Sequence, residues 1–151
     1  MIKKSPLSEF QYSRKLLGKA RRLMLKARKM ELEPFQITPR QAAFLNAISE
    51  LGERATLTEL SKYHGRAVNT ISSQMTEMEA DGFIKKVRVM PKSKALRFEL
   101  TEKGLGAHQG AVQNSSLQEI MSALSERERK HLDALLMTLI NRAETISGPN
   151  P

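Results

Sequence analysis

The chain has 151 residues, which is enough for one hydrophobic core and short for two domains. It carries 25 Lys and Arg against 16 Asp and Glu, and an anionic partner such as nucleic acid or a membrane surface would use the resulting net charge of +9. Cysteine is absent, which excludes disulfides and thiolate metal sites. Apolar runs do not exceed four residues, so we predict no membrane span and expect a cytoplasmic protein.

The first 30 residues predict a long basic helix. Ser5 and Pro6 are typical of a helix start, and the apolar residues Phe10, Leu17 and Met24 recur every seven positions over residues 6–30. Ten Lys or Arg and one acidic residue lie in residues 3–30. Such a helix can lie on a membrane, but its apolar seam equally suits an interface with a second copy of the chain. We favour the second interpretation and expect no membrane contact.

Two short helices joined by a glycine turn are predicted in the middle of the chain. A capping box, Thr38 to Gln41, opens the second helix, which extends to residue 52. A similar pattern at residues 56–59 opens a third helix that Gly65 should end. The fourth helix follows over residues 67–81 and is closed by Gly82. The third and fourth helices form a helix-turn-helix.

A basic hairpin follows the fourth helix. Residues 83–90 are rich in β-branched side chains, and Leu96, Phe98 and Leu100 alternate with outward-facing positions, as in a half-buried strand. Residues 91–94 form the predicted tip. A helix-turn-helix with a hairpin behind it is a winged helix, so the fold class is mainly α with a small β-hairpin wing.

Two helices are predicted after the wing. Thr101 is a candidate cap for the fifth, and a capping box at residues 125–128 starts the sixth, whose face carries Leu132, Leu135, Leu136 and Leu139. The final residues 148–151 should be frayed. The whole chain, residues 1–151, is therefore expected to be a single domain.

The fourth helix has two distinct faces. Ile71, Met75, Met78 and Val68 fall within about 80° of one another and should face the core. Short hydrogen-bonding side chains, which suit entry into a DNA major groove, occupy the other side. Asn69, Ser73 and Thr76 form this face, Thr70 and Ser72 flank it, and Arg66 precedes it on the same side. The plainer alternative is a solvated polar face. The basic wing favours DNA, because Lys92, Lys94 and Arg97 would contact phosphates or the adjacent minor groove.

The chain resembles the multiple antibiotic resistance regulator (MarR) family, most clearly over residues 35–105. The matching segments are ITPRQ at 37–41, LTEL at 57–60, TIS at 70–72, MEADGFI at 78–84 and LTEKG at 100–104. The resemblance implies a winged-helix homodimer, held by helices at residues 6–30 and 102–146, that binds pseudo-palindromic double-stranded DNA. It also implies a small aromatic or phenolic effector.

One departure from the family pattern concerns the wing. The family usually carries Asp-x-Arg eight residues before the Leu-Thr that ends the wing, and Lys92 and Lys94 stand at those positions here. Lysine replaces a planar guanidinium by a flexible point charge. We therefore expect this wing to bind phosphate more than to read the shape of the groove.

The sequence thus predicts a DNA-binding transcriptional regulator, with repression favoured over activation. Arg66, Asn69, Thr70 and Ser73 would read bases, Ser72 and Thr76 would contact sugar or phosphate, and the three wing cations would anchor the backbone. The alternative is a winged-helix module that binds protein. We expect no enzyme activity, cofactor or metal, because His64, His108 and His131 are far apart without nearby metal-ligand partners.

Overall fold

The structure, a computed structural model, describes residues 6–148, with side chains from Ser8 onward. It confirms a mainly α fold with one antiparallel hairpin. Single 3-10 turns at Glu33–Phe35 and Gly52–Arg54 follow the first two helices. The predicted cap at Ser5 and most of the predicted frayed end lie outside the described residues. The elements are α1 (Pro6–Leu32), α2 (Pro39–Leu51), α3 (Leu57–His64), α4 (Val68–Ala80), β1 (Ile84–Arg88), β2 (Leu96–Leu100), α5 (Glu102–Ala111), α6 (Ser115–Met121) and α7 (Glu126–Ser147).

Local capping sets most helix starts. The capping boxes predicted at Thr38 and Ser125 are both complete, with side chain and backbone bonded in each direction. Thr101 caps α5 by accepting from the backbone N–H of Gly104 at 3.1 Å. At Thr56 only half of the capping box is formed. The Thr56 hydroxyl accepts from the N–H of Glu59, but the carboxylate of Glu59 pairs with Lys62 at 3.0 Å.

The core lies between α2, α3, α4 and the hairpin. It confirms the inward stripe of α4 at Ile71, Met75 and Met78, all nearly fully buried. Val68 is a correction: its side chain is 43% exposed, because it is the first residue of α4 and lies at the edge of the stripe. Leu96 is also not inward, at 44% exposed, because it begins β2 at the outer end of the wing.

The hairpin is joined to the helical core at its base. Ile84 pairs with Leu100 and Arg88 with Leu96, so the paired strands run from the core to the tip. The backbone N–H of Phe98 also donates to the carbonyl of Ala55 at 2.8 Å. This bond and the burial of Phe98 fix the direction in which the wing projects.

The C-terminal region has three helices where the sequence indicates two. The additional helix, α6, has Asn114 at its N-cap in a left-handed conformation and without a side-chain capping bond. The cap comes instead from Glu31 on α1, whose Oε1 accepts from the backbone N–H groups of Ser115 and Ser116 at 2.7 and 3.3 Å. The carboxylate that caps α6 lies 84 residues earlier in the chain, so no local capping pattern marks the start of this helix. For this reason the sequence analysis did not predict α6.

Glu31 is also held by side chains. The hydroxyls of Ser115 and Ser116 donate to its carboxylate at 2.5 and 2.6 Å, and Arg28 pairs with it at 2.7 Å. Partial burial would raise the pKa of Glu31, but these hydrogen bonds outweigh burial and lower its pKa to about 2. Arg28 donates in turn to the carbonyl of Ala111 at 2.5 Å, so one carboxylate joins α1, α5 and α6.

The substitution Glu31→Gln should lower the free energy of unfolding at pH 7 by about 1 to 3 kcal/mol, since it weakens several charge-assisted hydrogen bonds. Because the folded-state pKa of Glu31 is depressed, its contribution is present above the ordinary value of 4.5 and is lost as pH falls toward about 2. Urea unfolding of both proteins from pH 7 to pH 3 checks this. The difference should narrow below pH 4.5, and Glu33→Gln, at an exposed neighbouring position, should cost little at any pH. A difference independent of pH would contradict the role of the charge.

Two glycines of α5 give opposite expectations. A Cβ at Gly104 would lie 2.0 Å from the carbonyl oxygen of Phe83, whereas one at Gly106 would meet nothing within 4 Å. Gly104→Ala should therefore destabilise the protein by about 1 to 3 kcal/mol through overpacking. Gly106→Ala should stabilise it by about 0.5 kcal/mol, because alanine loses less conformational entropy in a helix. Thermal unfolding of the two variants checks the opposite signs, and a shared sign would refute the close packing of α5 against Phe83.

Candidate nucleic-acid interface

The turn between α3 and α4 fixes the start of the polar face. Gly65 takes a left-handed conformation with φ of 58°, where an L side chain would be strained. The backbone of its neighbour Arg66 forms two hydrogen bonds with Ser61. The N–H of Arg66 donates to the Ser61 carbonyl at 3.1 Å, and the Arg66 carbonyl accepts from the Ser61 hydroxyl at 2.5 Å. The guanidinium of Arg66 therefore projects from a rigid backbone.

The outward side of α4 carries the residues that the sequence analysis selected. Asn69, Thr70, Ser73 and Thr76 are exposed, and Ser72 is half-buried beside them. The opposite stripe is locked in the core, so the helix cannot rotate without exposing it. The structure thus places these five side chains together on one surface, with Arg66 at its N-terminal end.

Two hydroxyls on this face already use their hydrogen within the helix. Ser73 donates to the carbonyl of Asn69 at 3.2 Å, and Thr76 donates to the carbonyl of Ser72 at 3.0 Å. Their oxygens keep free lone pairs and so present acceptors outward. Acceptors of this type match the amino groups that adenine and cytosine show in the major groove, whereas the Asn69 amide can both donate and accept.

The wing tip carries two cations that are free for an anionic partner. Lys92 and Lys94 are exposed, and neither forms an ion pair with the described residues. The tip is shaped by bonds from the N–H of Ser93 to the carbonyl of Met90 and from the N–H of Ala95 to the Ser93 hydroxyl. At the wing base, Lys85 and Lys86 are paired with Glu99 and Glu79, so the wing cations without an ion pair are the two lysines of the tip and Arg88 at the outer end of β1.

Arg97 is placed differently from the other two wing cations. Its side chain is 19% exposed and pairs with Glu99 at 2.6 Å, with Glu53 at 4.0 Å on its other side. The guanidinium is therefore neutralised on the strand, away from the tip. Lys92 and Lys94 therefore lie together at the tip of the wing, and Arg97 lies apart from them on β2.

Sequence reasoning assigned no site role to a basic groove beside the polar face. The groove lies between α1, α2 and α4 and has a volume of about 970 Å³. Its wall includes Arg66 and Thr70 from the polar face and Arg40 from the start of α2, whose guanidinium is 3.5 Å from the amide oxygen of Gln74 on α4. The charge of residues 3–30 was the available signal, but only tertiary packing brings that charge to α4.

His64 lies at the inner wall of this groove. Its ring packs on Phe44 at a centroid distance of 4.4 Å, and its Nε2 atom is buried without a hydrogen-bond partner among the described residues. Burial, with a smaller effect from the charge of Arg66, lowers the pKa of His64. The described part of the chain places no three His, Asp or Glu side chains together as a metal site would require.

Solved structures with the same fold are described as transcriptional regulators, and one of them is a complex with operator DNA. A mutant of MarR from E. coli complexed with operator DNA is 20% identical at a TM-score of 0.74, covering 90% of this chain and 99% of that one. AbsC, a MarR-family transcriptional regulator from Streptomyces coelicolor, is 18% identical at a TM-score of 0.77, and the match covers 96% of this chain and 99% of AbsC. The organohalide-sensing regulator RdhR, bound to 2,4-dichlorophenol, is 21% identical at a TM-score of 0.73, and the match covers 94% of this chain and 88% of RdhR.

The class defined by this likeness is the winged helix. More particularly, the chain has the fold of the MarR-family regulators, over nearly the whole length of each. The sequence matches no family model and none of the curated proteins. No helix within residues 6–148 is long and apolar enough to cross a membrane.

Proposed function

We propose that the chain is a MarR-type transcriptional regulator that binds double-stranded DNA in a sequence-specific way, in the cytoplasm and as a homodimer. One observation carries the proposal: the uncharged, hydrogen-bonding face of α4 is rigidly held and lies next to a wing whose tip has two unpaired lysines. The MarR complex with operator DNA, which shares this fold, supports it.

The contacts divide into two kinds. Asn69, Thr70 and Ser73 are exposed on α4 and would meet base edges in the major groove, with Arg66 at the helix start. Ser72 and Thr76 would lie beside sugar or phosphate. Lys92 and Lys94 would bind the phosphate backbone, which fixes register and supplies affinity without choosing a sequence. Arg97 would act through the wing's ion-pair network and not as a direct contact.

The homodimer follows from two helices that one chain leaves uncovered. None of the side chains of α7 is buried, and Leu135, Met137, Leu139 and Ile140 are about half exposed. On α1, Phe10 is 74% exposed. So many exposed large apolar side chains on two helices indicate an interaction site, and a second copy would present the same two helices in return. Two copies also provide two α4 helices, as a pseudo-palindromic site requires.

Regulation by a ligand is the third part of the proposal. RdhR, which has the same fold, binds 2,4-dichlorophenol, and this supports a small aromatic or phenolic effector here. An effector that changes the spacing of the two α4 helices would prevent them from matching half-sites about 34 Å apart, which would release DNA and so relieve repression.

DNA binding tests the proposal through two matched variants. A site selected by the wild-type protein from a random oligonucleotide pool serves as operator, and an unselected duplex serves as reference. Asn69→Ala should cost about 1 to 3 kcal/mol on the operator and less on the reference, because it removes a base contact. Lys94→Ala should weaken both similarly and reduce the salt slope by about 1, because it removes a phosphate contact. Fluorescence anisotropy over a salt series measures both.

Gln109→Ala serves as a control, since it removes an exposed amide from α5, away from the polar face. It should bind both duplexes like the wild type. Equal losses for Asn69→Ala on the two duplexes would refute base reading by α4. Failure of the wild-type protein to select any sequence would favour the protein-binding alternative over the regulator.

A further inference from the structure

The outer wing, residues 88–96, carries apolar side chains that the fold leaves uncovered. Met90 is 66% exposed, and Val89 and Leu96 are also exposed. At the base of the same hairpin, Ile84 is nearly fully buried. Met90 follows Ile84 by a length of extended chain of roughly 20 Å, since a strand rises about 3.3 Å per residue. The core that covers the base of the wing therefore does not extend to Met90.

A tight turn presents Met90 on a rigid backbone. The N–H of Ser93 donates to the carbonyl of Met90 at 2.9 Å, which closes a four-residue turn with Pro91 in its second position. Proline has a fixed φ and is favoured at this position of a β-turn. The N–H of Val89 also donates to the carbonyl of Ala95 at 3.0 Å, so the two strands stay joined up to the turn. A partner could therefore bury Met90 without the entropy cost of ordering a flexible loop.

The charges near Met90 indicate the chemistry of such a partner. Arg88, Lys92 and Lys94 are exposed and form no ion pair with the described residues. Residues 88–96 contain no Asp or Glu. Cations next to an exposed apolar side chain match a surface that is negative outside and apolar within. Duplex DNA has this arrangement, because phosphates border each groove and the faces of two stacked bases become available when the bases separate.

The wing is held against α4, the helix proposed to enter the major groove. Lys86 on β1 pairs with Glu79 on α4 at 2.8 Å, and Phe98 on β2 belongs to the same buried cluster as Met75 and Met78. In the proposed complex the outer wing would therefore lie at the minor groove beside the bases that α4 contacts. A lipid surface is also negative outside and apolar within, but the hydrogen-bonding face of α4 has no role there. DNA is the partner that fits both elements.

The two lysines of the outer wing are compatible with a change in groove width. Insertion of an apolar side chain between two base pairs unstacks them and bends the duplex away from the minor groove. Met and Pro are among the side chains that act in this way, with bends of about 20 to 90°. Lys92 and Lys94 end in compact charges on flexible stems, so each can follow a phosphate as the groove opens.

We propose that the outer wing bends DNA, with Met90 inserted from the minor groove between two base pairs while Lys92 and Lys94 bind the flanking phosphates. This inference rests on the proposed function, because α4 must first place the wing on DNA. It also assigns a sequence preference to base pairs that α4 does not touch. Pyrimidine–purine steps such as TA and CA unstack most easily, so the selected operator should carry one on each flank.

The adenine analogue 2-aminopurine tests the insertion, because its fluorescence rises when neighbouring bases unstack from it. It replaces one adenine at a time along the flanks of the selected operator, and each duplex is titrated with the full chain. The wild type should raise the fluorescence at one flanking step by about threefold or more. Met90→Gln, which is similar in length but polar, should abolish most of this rise. Met90→Leu, which is apolar, should retain it.

Met30→Gln is the matched control. Met30 is 64% exposed on α1 and lies about 140° around the helix from the seam of Phe10, Leu17 and Met24. This variant should give the fluorescence and the DNA bend of the wild type. Energy transfer between dyes at the two ends of the operator measures the bend, which Met90→Gln should reduce. Thermal unfolding should be unchanged in both variants, because each alters an exposed side chain.

Anisotropy in the same titrations separates this inference from the proposed function. If the wild type binds the operator but raises the fluorescence at no flanking position, the insertion is overturned and the regulator stands. An equal rise with Met90→Gln would overturn it as well. Absence of DNA binding by the wild type would overturn both proposals. Without DNA binding, sedimentation with phosphatidylglycerol vesicles that Met90→Gln abolishes would show a membrane contact instead.

Discussion

A single chain cannot bury the apolar faces of its longest helices. The 27 residues of α1 and the 22 of α7 flank the core, yet α7 contributes no buried side chain and α1 is anchored mainly near its C-terminal end, where Leu32 is fully buried. A helix gains most of its stability from packing an amphipathic face against another element. We infer that the arrangement of the two helices depends on a surface that a second copy supplies, and in the proposed regulator the spacing of the two α4 helices would depend on it in turn.

In the rest of the chain, packing holds α4 and the wing in fixed positions. Ile71, Met75 and Met78 lock α4 into the core, and the bond from Phe98 to Ala55 fixes the wing. Positive charge is distributed unevenly over the elements of the chain. The excess of +9 is concentrated on α1 and the wing, while the outward face of α4 is nearly uncharged. In the proposed complex with DNA, non-specific affinity and choice of sequence would therefore come from different elements.

Capping patterns between neighbouring residues predicted most helix starts, whereas contacts between residues far apart in the chain left no sequence pattern. The capping boxes at Thr38 and Ser125 and the left-handed Gly65 depend on neighbours within a few residues, so the sequence pattern located the helix boundaries. The cap of α6 comes from Glu31 on α1, and no periodicity reports it. The polar face of α4 followed from helical geometry, whereas Val68 showed that an apolar position at a helix end need not be covered.

The candidate site shows the same division. Lys92 and Lys94 could be selected from their position in a hairpin tip, but the neutralisation of Arg97 required the positions of Glu99 and Glu53. The basic groove required the packing of α1 against the start of α2, which brings charges of the N-terminal helix beside Arg66. The resemblance to MarR-family sequences suggested the functional class that we propose, while the structure showed which cations remain without an ion pair.

The most direct test of this account is the mass of the protein in solution. Size-exclusion chromatography with light scattering at micromolar concentration measures it independently of shape. The exposed faces of α1 and α7 predict a species of twice the 17.0 kDa of one chain, stable on dilution through the column. A monodisperse species of 17.0 kDa would contradict the account, because two uncovered apolar helices and a single reading helix could not then form the proposed regulator.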